Sequence, residues 1–93
     1  MVSFKSEITK KLLKYFFLNP EGAFYLNELF RELGVDKRNL AKKLKELQQE
    51  GIFKSQEQGN LKYYSLNRGY LLYDEYKKVI LKTMGIEDKI KKL

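Results

Sequence analysis

The sequence predicts a mainly α-helical domain with a small antiparallel β-sheet, in the order helix, short strand, helix, helix, strand, strand, helix. Three observations carry that prediction. Residues 26–53 hold two helical patterns on either side of a Gly34-Val35 turn. The second pattern repeats Leu40, Leu44 and Leu47 along one helix face. Directly after it, β-prone residues 52–56 and 61–66 flank the small polar stretch Gln58-Gly59-Asn60, which is a hairpin pattern.

Each element follows from its local chemistry. Residues 6–18 read as a helix, with Ser6 as N-cap and Ile8, Leu12, Tyr15 and Phe16 on one side. Asn19-Pro20-Glu21-Gly22 is a turn cluster that ends it. Ala23-Phe24-Tyr25 is β-prone but brief enough only for an edge strand. Asn27 is expected to cap a short helix over 28–33, with Glu28 in the first turn, where the helix dipole favours an anion. Its apolar stripe is Leu26, Leu29, Phe30 and Leu33. Gly34 stands where a left-handed residue closes a helix, and Val35 reads as a buried turn residue. Asp36 caps the next helix, which runs to about Glu50 and ends at Gly51. Asn67 is expected to cap a last helix over roughly 69–84, with Leu72, Tyr76, Val79, Ile80 and Met84 on one side. Gly85 punctuates it, and 86–93 read as one or two further helical turns. No repeat, low-complexity run or linker divides the chain. One domain over 1–93 is expected, with a core over about 6–68 and a terminal helical segment, for dimerisation or linkage, over about 69–93.

Composition narrows the function. A chain of 93 residues with a net charge of +7 and a pI near 9.5 has polyanions as default partners, nucleic acid first and anionic membrane second. There is no Cys and no His. That removes disulfides, the usual zinc sites, thiol nucleophiles and imidazole bases together, so no metal and no cofactor are expected. The carboxylate pairs Asp74-Glu75 and Glu87-Asp88 are sequence neighbours on helices and do not converge as an acid and a base, so an enzyme is not expected. No apolar run reaches the ~20 residues needed to span a bilayer, and the amino terminus lacks a signal-peptide pattern. A cytoplasmic protein with no membrane partner is expected.

The second helix of the motif carries the functional argument. Its first nine residues include Lys37, Arg38, Lys42, Lys43 and Lys45 and no acid. At about 100° per residue, Leu44 and Leu47 fall within about 40° of Leu40 on either side. Arg38, Lys42, Lys45 and Gln49 fall on the opposite side, between roughly 140° and 200°. Lys37 and Lys43 lie on the flanks, about 60° from the core direction, and Asn39 lies near 100°. One face is apolar and the other basic and amide-rich, which suits a helix lying in the major groove of double-stranded DNA. Arg38 and Asn39 are the candidates for base edges. Lys37, Lys42, Lys43 and Lys45 are candidates mainly for phosphates, with Gln49 on the same exposed face. Glu46 and Glu50 are within helical reach of Lys42 or Lys43 and compete for them. In the hairpin, Asn60 and Lys62 are the phosphate candidates. Tyr63 and Tyr64 point to opposite faces, so the hairpin does not offer the row of aromatics that a single-strand platform needs.

Residues 24–67, FYLNELFRELGVDKRNLAKKLKELQQEGIFKSQEQGNLKYYSLN, resemble the winged helix-turn-helix domains of the prokaryotic arsenic-repressor-like and multiple-antibiotic-repressor-like regulators. The parts that match are the LGV turn, the D-x-x-x-L-x-x-x-L-x-x-L helix, the E-G-I-F exit and the G-N-x-K-Y-Y-x-L wing. The resemblance implies a sequence-specific DNA-binding transcriptional regulator. It puts a recognition helix over about 36–50 in the major groove and a wing over about 53–66 on the flanking backbone or minor groove. It also implies a homodimer joined by the terminal helices, for which Leu72, Tyr76, Val79 and Ile80 are the interface candidates. The metal-binding Cys/His motifs of the arsenic-repressor type are absent. The alternative is a winged-helix protein-interaction or DNA-targeting module of a larger protein. The tail LKTMGIEDKIKKL resembles a junction that leads, in some prokaryotic proteins, into a nucleotidyltransferase domain.

Overall fold

A computed structural model describes residues 6–84. The elements are α1 (Glu7–Leu18), β1 (Phe24–Tyr25), α2 (Leu26–Leu33), α3 (Lys37–Glu50), β2 (Phe53–Gln58), β3 (Leu61–Leu66) and α4 (Tyr73–Met84). The three strands form one antiparallel sheet in the order β1-β3-β2. This is the winged helix-turn-helix layout, and its element order is the expected one.

Helix ends fall where the capping chemistry puts them, with two exceptions. The Ser6 hydroxyl accepts from the Thr9 amide at 3.3 Å, and the Asp36 carboxylate accepts from the Asn39 amide at 2.9 Å. Gly34 closes α2 with φ 62°, in the left-handed region. The first exception is Asn27, which lies inside α2 rather than capping it. The helix begins two residues earlier than expected because Glu28 reaches back, its carboxylate accepting from the Tyr25 amide at 3.1 Å. The second is Asn67. Its amide donates to the Gly51 carbonyl at 2.9 Å and its side-chain oxygen accepts from the Gly69 amide at 3.1 Å. Spent on this Asx turn, Asn67 starts no helix, and α4 begins only at Tyr73. Gly85 and residues 86–93, read as a stop and further helical turns, lie outside the described residues.

Gly51 has φ 108°, and a Cβ there would sit 3.2 Å from the Tyr70 ring. Two costs therefore coincide, left-handed strain and a crowded aromatic neighbour. Gly51→Ala is expected to destabilise the domain by about 1–3 kcal/mol in urea unfolding. A change below about 0.5 kcal/mol would show that the joint relaxes freely.

The core gathers one side of every helix against the inner face of the sheet. Leu12, Leu13, Phe16 and Phe17 of α1 meet Leu29, the leucines Leu40, Leu44 and Leu47, then Ile52, Phe53, Leu66, Tyr76 and Ile80. Phe16 is the hub of the aromatic part, with ring centroids 4.4 Å from Phe53 and 5.4 Å from Phe24. Helix α4 packs on α1, and Tyr73 meets Phe17 edge to face at 5.4 Å. Two core expectations change. Val35 is only partly buried, and Phe30 leaves the apolar stripe of α2 with 39% of its surface exposed.

Candidate nucleic-acid interface

Helix α3 presents two chemically distinct faces. Leu40, Leu44 and Leu47 are sealed in the core at 1% exposure or less. Lys37, Arg38, Asn39, Lys42, Lys45 and Gln49 all face solvent. Among the described residues no carboxylate forms an ion pair with Arg38, Lys42 or Lys45. Lys43 differs from the others. It is half-buried on the flank, and its ammonium donates to Glu46 at 3.2 Å, a helical i,i+3 pair that lowers its availability to a phosphate. Glu50 is engaged by the Tyr70 hydroxyl at 2.7 Å.

That last contact belongs to a joint at the far end of α3. Burial pushes the Tyr70 phenol far above the ordinary tyrosine range, and its contacts with Tyr76 and Glu50 push the same way, so it remains a hydrogen-bond donor. Tyr70 stacks edge to face on Tyr76 at 5.5 Å. Together with the Asn67 bond to Gly51, this fixes the exit of α3 against the lead-in to α4.

The hairpin β2–β3 is the wing. Gln58 pairs with Leu61, so only Gly59 and Asn60 form the turn, and Gly59 takes φ 62°. The tip is therefore one residue tighter than the Gln58-Gly59-Asn60 expectation, and β2 starts at Phe53 rather than Ile52. Lys54, Asn60 and Lys62 are exposed. Gln48 donates to the Ser55 hydroxyl at 2.8 Å, tying the wing to α3. Tyr64 leans on the core, while Tyr63 meets Tyr25 edge to face at 5.6 Å.

Sequence reasoning missed the ground between helix and wing. A groove of about 320 Å³ is lined by Tyr25, Leu26 and Asn27 from β1 and α2, by Lys37 from α3, and by Asn60, Leu61, Lys62 and Tyr64 from the wing. It adjoins a wider one of about 690 Å³ lined by Leu26, Asp36, Lys37, Arg38, Asn39 and Ala41. Leu26 and Lys37 belong to both. The start of α3 and the arm of the wing thus line adjacent grooves that share Leu26 and Lys37. Asn27 was read as a cap, and no periodicity in the sequence marks it as a groove residue.

The four residues expected at a dimer contact are not equivalent. Tyr76 and Ile80 are packed inside the chain's own core at 1% and 2% exposure, Leu72 is partly buried against it, and Val79 is 45% exposed. Leu71 is the most exposed large apolar side chain, at 89%. Among the described residues no group of three His, Cys, Asp or Glu side chains could hold a metal ion. No described helix is long and apolar enough to cross a membrane.

The fold is shared with solved regulators of low sequence similarity. HlyU from Vibrio cholerae, in its reduced form, superposes with a TM-score of 0.65 at 18% identity, over 86% of this chain and 78% of that one. A possible transcriptional regulator from Methanosarcina mazei gives 0.67 at 15% identity, over 94% and 78%. MepR, a transcription regulator of the Staphylococcus aureus multidrug efflux pump MepA, gives 0.67 at 12% identity, over 95% and 65%. No protein-family model matches the sequence. No curated protein matches it either.

Proposed function

We propose that the chain is a sequence-specific double-stranded-DNA-binding regulator of transcription that works as a homodimer. The observation that carries this reading is the division of α3. Three leucines anchor it, while Arg38, Lys42, Lys45 and Gln49 face solvent opposite them with no acid among the described residues paired to the three cations. In this reading Arg38 and Asn39, near the amino end of α3, meet base edges, and Lys37, Lys42 and Lys45 meet phosphates. The wing adds Asn60 and Lys62 on the flanking backbone. Lys43 contributes less than the other lysines because Glu46 holds it.

A second copy is expected to join through the terminal helices. The apolar surface for it is contributed by Leu71, Val79 and Leu18, exposed at 89%, 45% and 51%, rather than by Tyr76 and Ile80, which the core already uses. A two-fold dimer would set the two recognition helices on half-sites about one helical turn, ~34 Å, apart. Light scattering at tens of micromolar should then return twice the chain mass, and a strictly monomeric mass would remove this part of the reading.

Selection of bound duplexes from a random pool tests the central claim. Enriched sequences should share a motif. With three or four phosphates met per protomer, log affinity should fall against log salt with a slope of roughly −2.7 to −3.6 per protomer. Absence of binding at about 50 mM salt, or binding indifferent to salt, would refute it.

A further inference from the structure

The groove between α3 and the wing holds two lysines that come from different elements and carry similar supports. The Lys37 ammonium lies 5.8 Å from the centroid of the Phe30 ring, and the Lys62 ammonium 5.4 Å from that of Tyr64. Among the described residues neither lysine is in an ion pair. Glu57 stands directly across from Lys62 in the hairpin register, yet Lys62 rests over the Tyr64 ring instead. Phe30, unusually, leaves the α2 stripe to stand 39% exposed, and its ring lies under Lys37. A cation over an aromatic face loses rotamer freedom before any ligand arrives, so less is lost on binding. Asn27 and Asn60 add amide groups to the same space, which has a volume of about 320 Å³.

Resting on the DNA-binding reading, we propose that this groove is a clasp for one sugar–phosphate link of a single DNA strand. Lys37 closes it from the helix side and Lys62 from the wing side, with Phe30 and Tyr64 as positioning residues. The strand leaving the major groove is then held at the point where it passes under the wing. Helix and wing act on one phosphate there rather than on two.

Counterion release makes the distinction measurable, because each neutralised phosphate contributes about 0.9 to the salt slope. The experiment measures binding of a fluorescent mixed-sequence duplex across a salt series for the parent, Lys37→Ala, Lys62→Ala and the double variant. A shared phosphate predicts that each single variant leaves the slope nearly unchanged, because the other lysine still neutralises it. A drop of about 0.9 in one single variant alone would assign the phosphate to that lysine and overturn the clasp. The double variant should lower the slope by about 0.9 per protomer. Two separate phosphates would lower it by about 1.8, and no contact would leave it unchanged; either result overturns the clasp. Phe30→Leu keeps an apolar side chain but removes the π face. It should weaken binding roughly twofold to fourfold in the parent and not at all in the Lys37→Ala background. Equal loss in both backgrounds would overturn the positioning role of Phe30. A parent that fails to bind overturns the DNA-binding reading itself. A parent that binds, and loses binding with Arg38→Ala plus Lys42→Ala, leaves that reading standing whichever way the slopes fall.

Discussion

Replacing Arg38 and Lys42 together with alanine is expected to weaken duplex binding by on the order of 100-fold without unfolding the domain. An arginine that bridges a base edge is worth about 1–3 kcal/mol, and a lysine on a phosphate adds a non-specific share that grows as salt falls. Both side chains face solvent, opposite the leucines that anchor α3, and neither is in an ion pair among the described residues. Alanine matches or exceeds both in helix propensity, so urea unfolding should stay within about 0.5 kcal/mol of the parent. The single variants should differ in kind. Arg38→Ala should flatten sequence preference, whereas Lys42→Ala should weaken all duplexes alike and lower the salt slope. Unchanged binding by the double variant would mean that α3 does not lie in the groove.

The second large effect is on stability. Phe16→Ala is expected to cost about 3–5 kcal/mol, against a total of about 5–15 kcal/mol for a domain of this kind. Phe16 is fully buried and joins three elements, since its ring contacts those of Phe24 on β1 and Phe53 on β2. Its loss opens a cavity between α1 and the sheet that no single neighbour can fill. The expected result is a urea midpoint lowered by roughly a third or more, or a chain largely unfolded if the parent sits near the low end of that stability range. Any loss of DNA binding should follow the unfolded fraction and disappear where folding is restored. A cost below about 1 kcal/mol would show that the aromatic cluster repacks, and would move the centre of stability towards the leucines of α3.

Most of the fold was legible because its signals are local. Leucines at helical spacing, Gly34 and Gly51 at helix ends, Asp36 before α3 and a Gly-Asn turn between two β-prone runs each name their element. The misreadings share a cause, which is that one side chain can serve competing partners. Asn27 and Asn67 both look like caps. Glu28 reaching back to Tyr25 displaced the first, and the Gly51 carbonyl captured the second. Phe30 fits an apolar stripe by period, but a period cannot reveal that Lys37 will lie against its ring. The outward face of α3 could be read from angles alone. The groove could not, because Tyr25 and Asn27 come to line the same space as Lys62 only once β1 pairs with β3. The interior positions of Tyr76 and Ile80 were hidden for the same reason: a helical stripe shows which side of α4 is apolar, not whether α1 or a second chain covers it.

The division of α3 also bears on how such a protein can change through descent. The residues that keep the helix in place and those that meet solvent hardly overlap, so on the proposed DNA-binding reading a substitution at Arg38, Asn39, Lys42 or Gln49 would alter what is recognised at little cost to folding. Target preference can therefore drift by single steps through folded intermediates. The three buried leucines, by contrast, can change only to apolar side chains of similar volume without a large cost to folding. Two lineages that share this scaffold could diverge in every outward residue of the helix and still superpose.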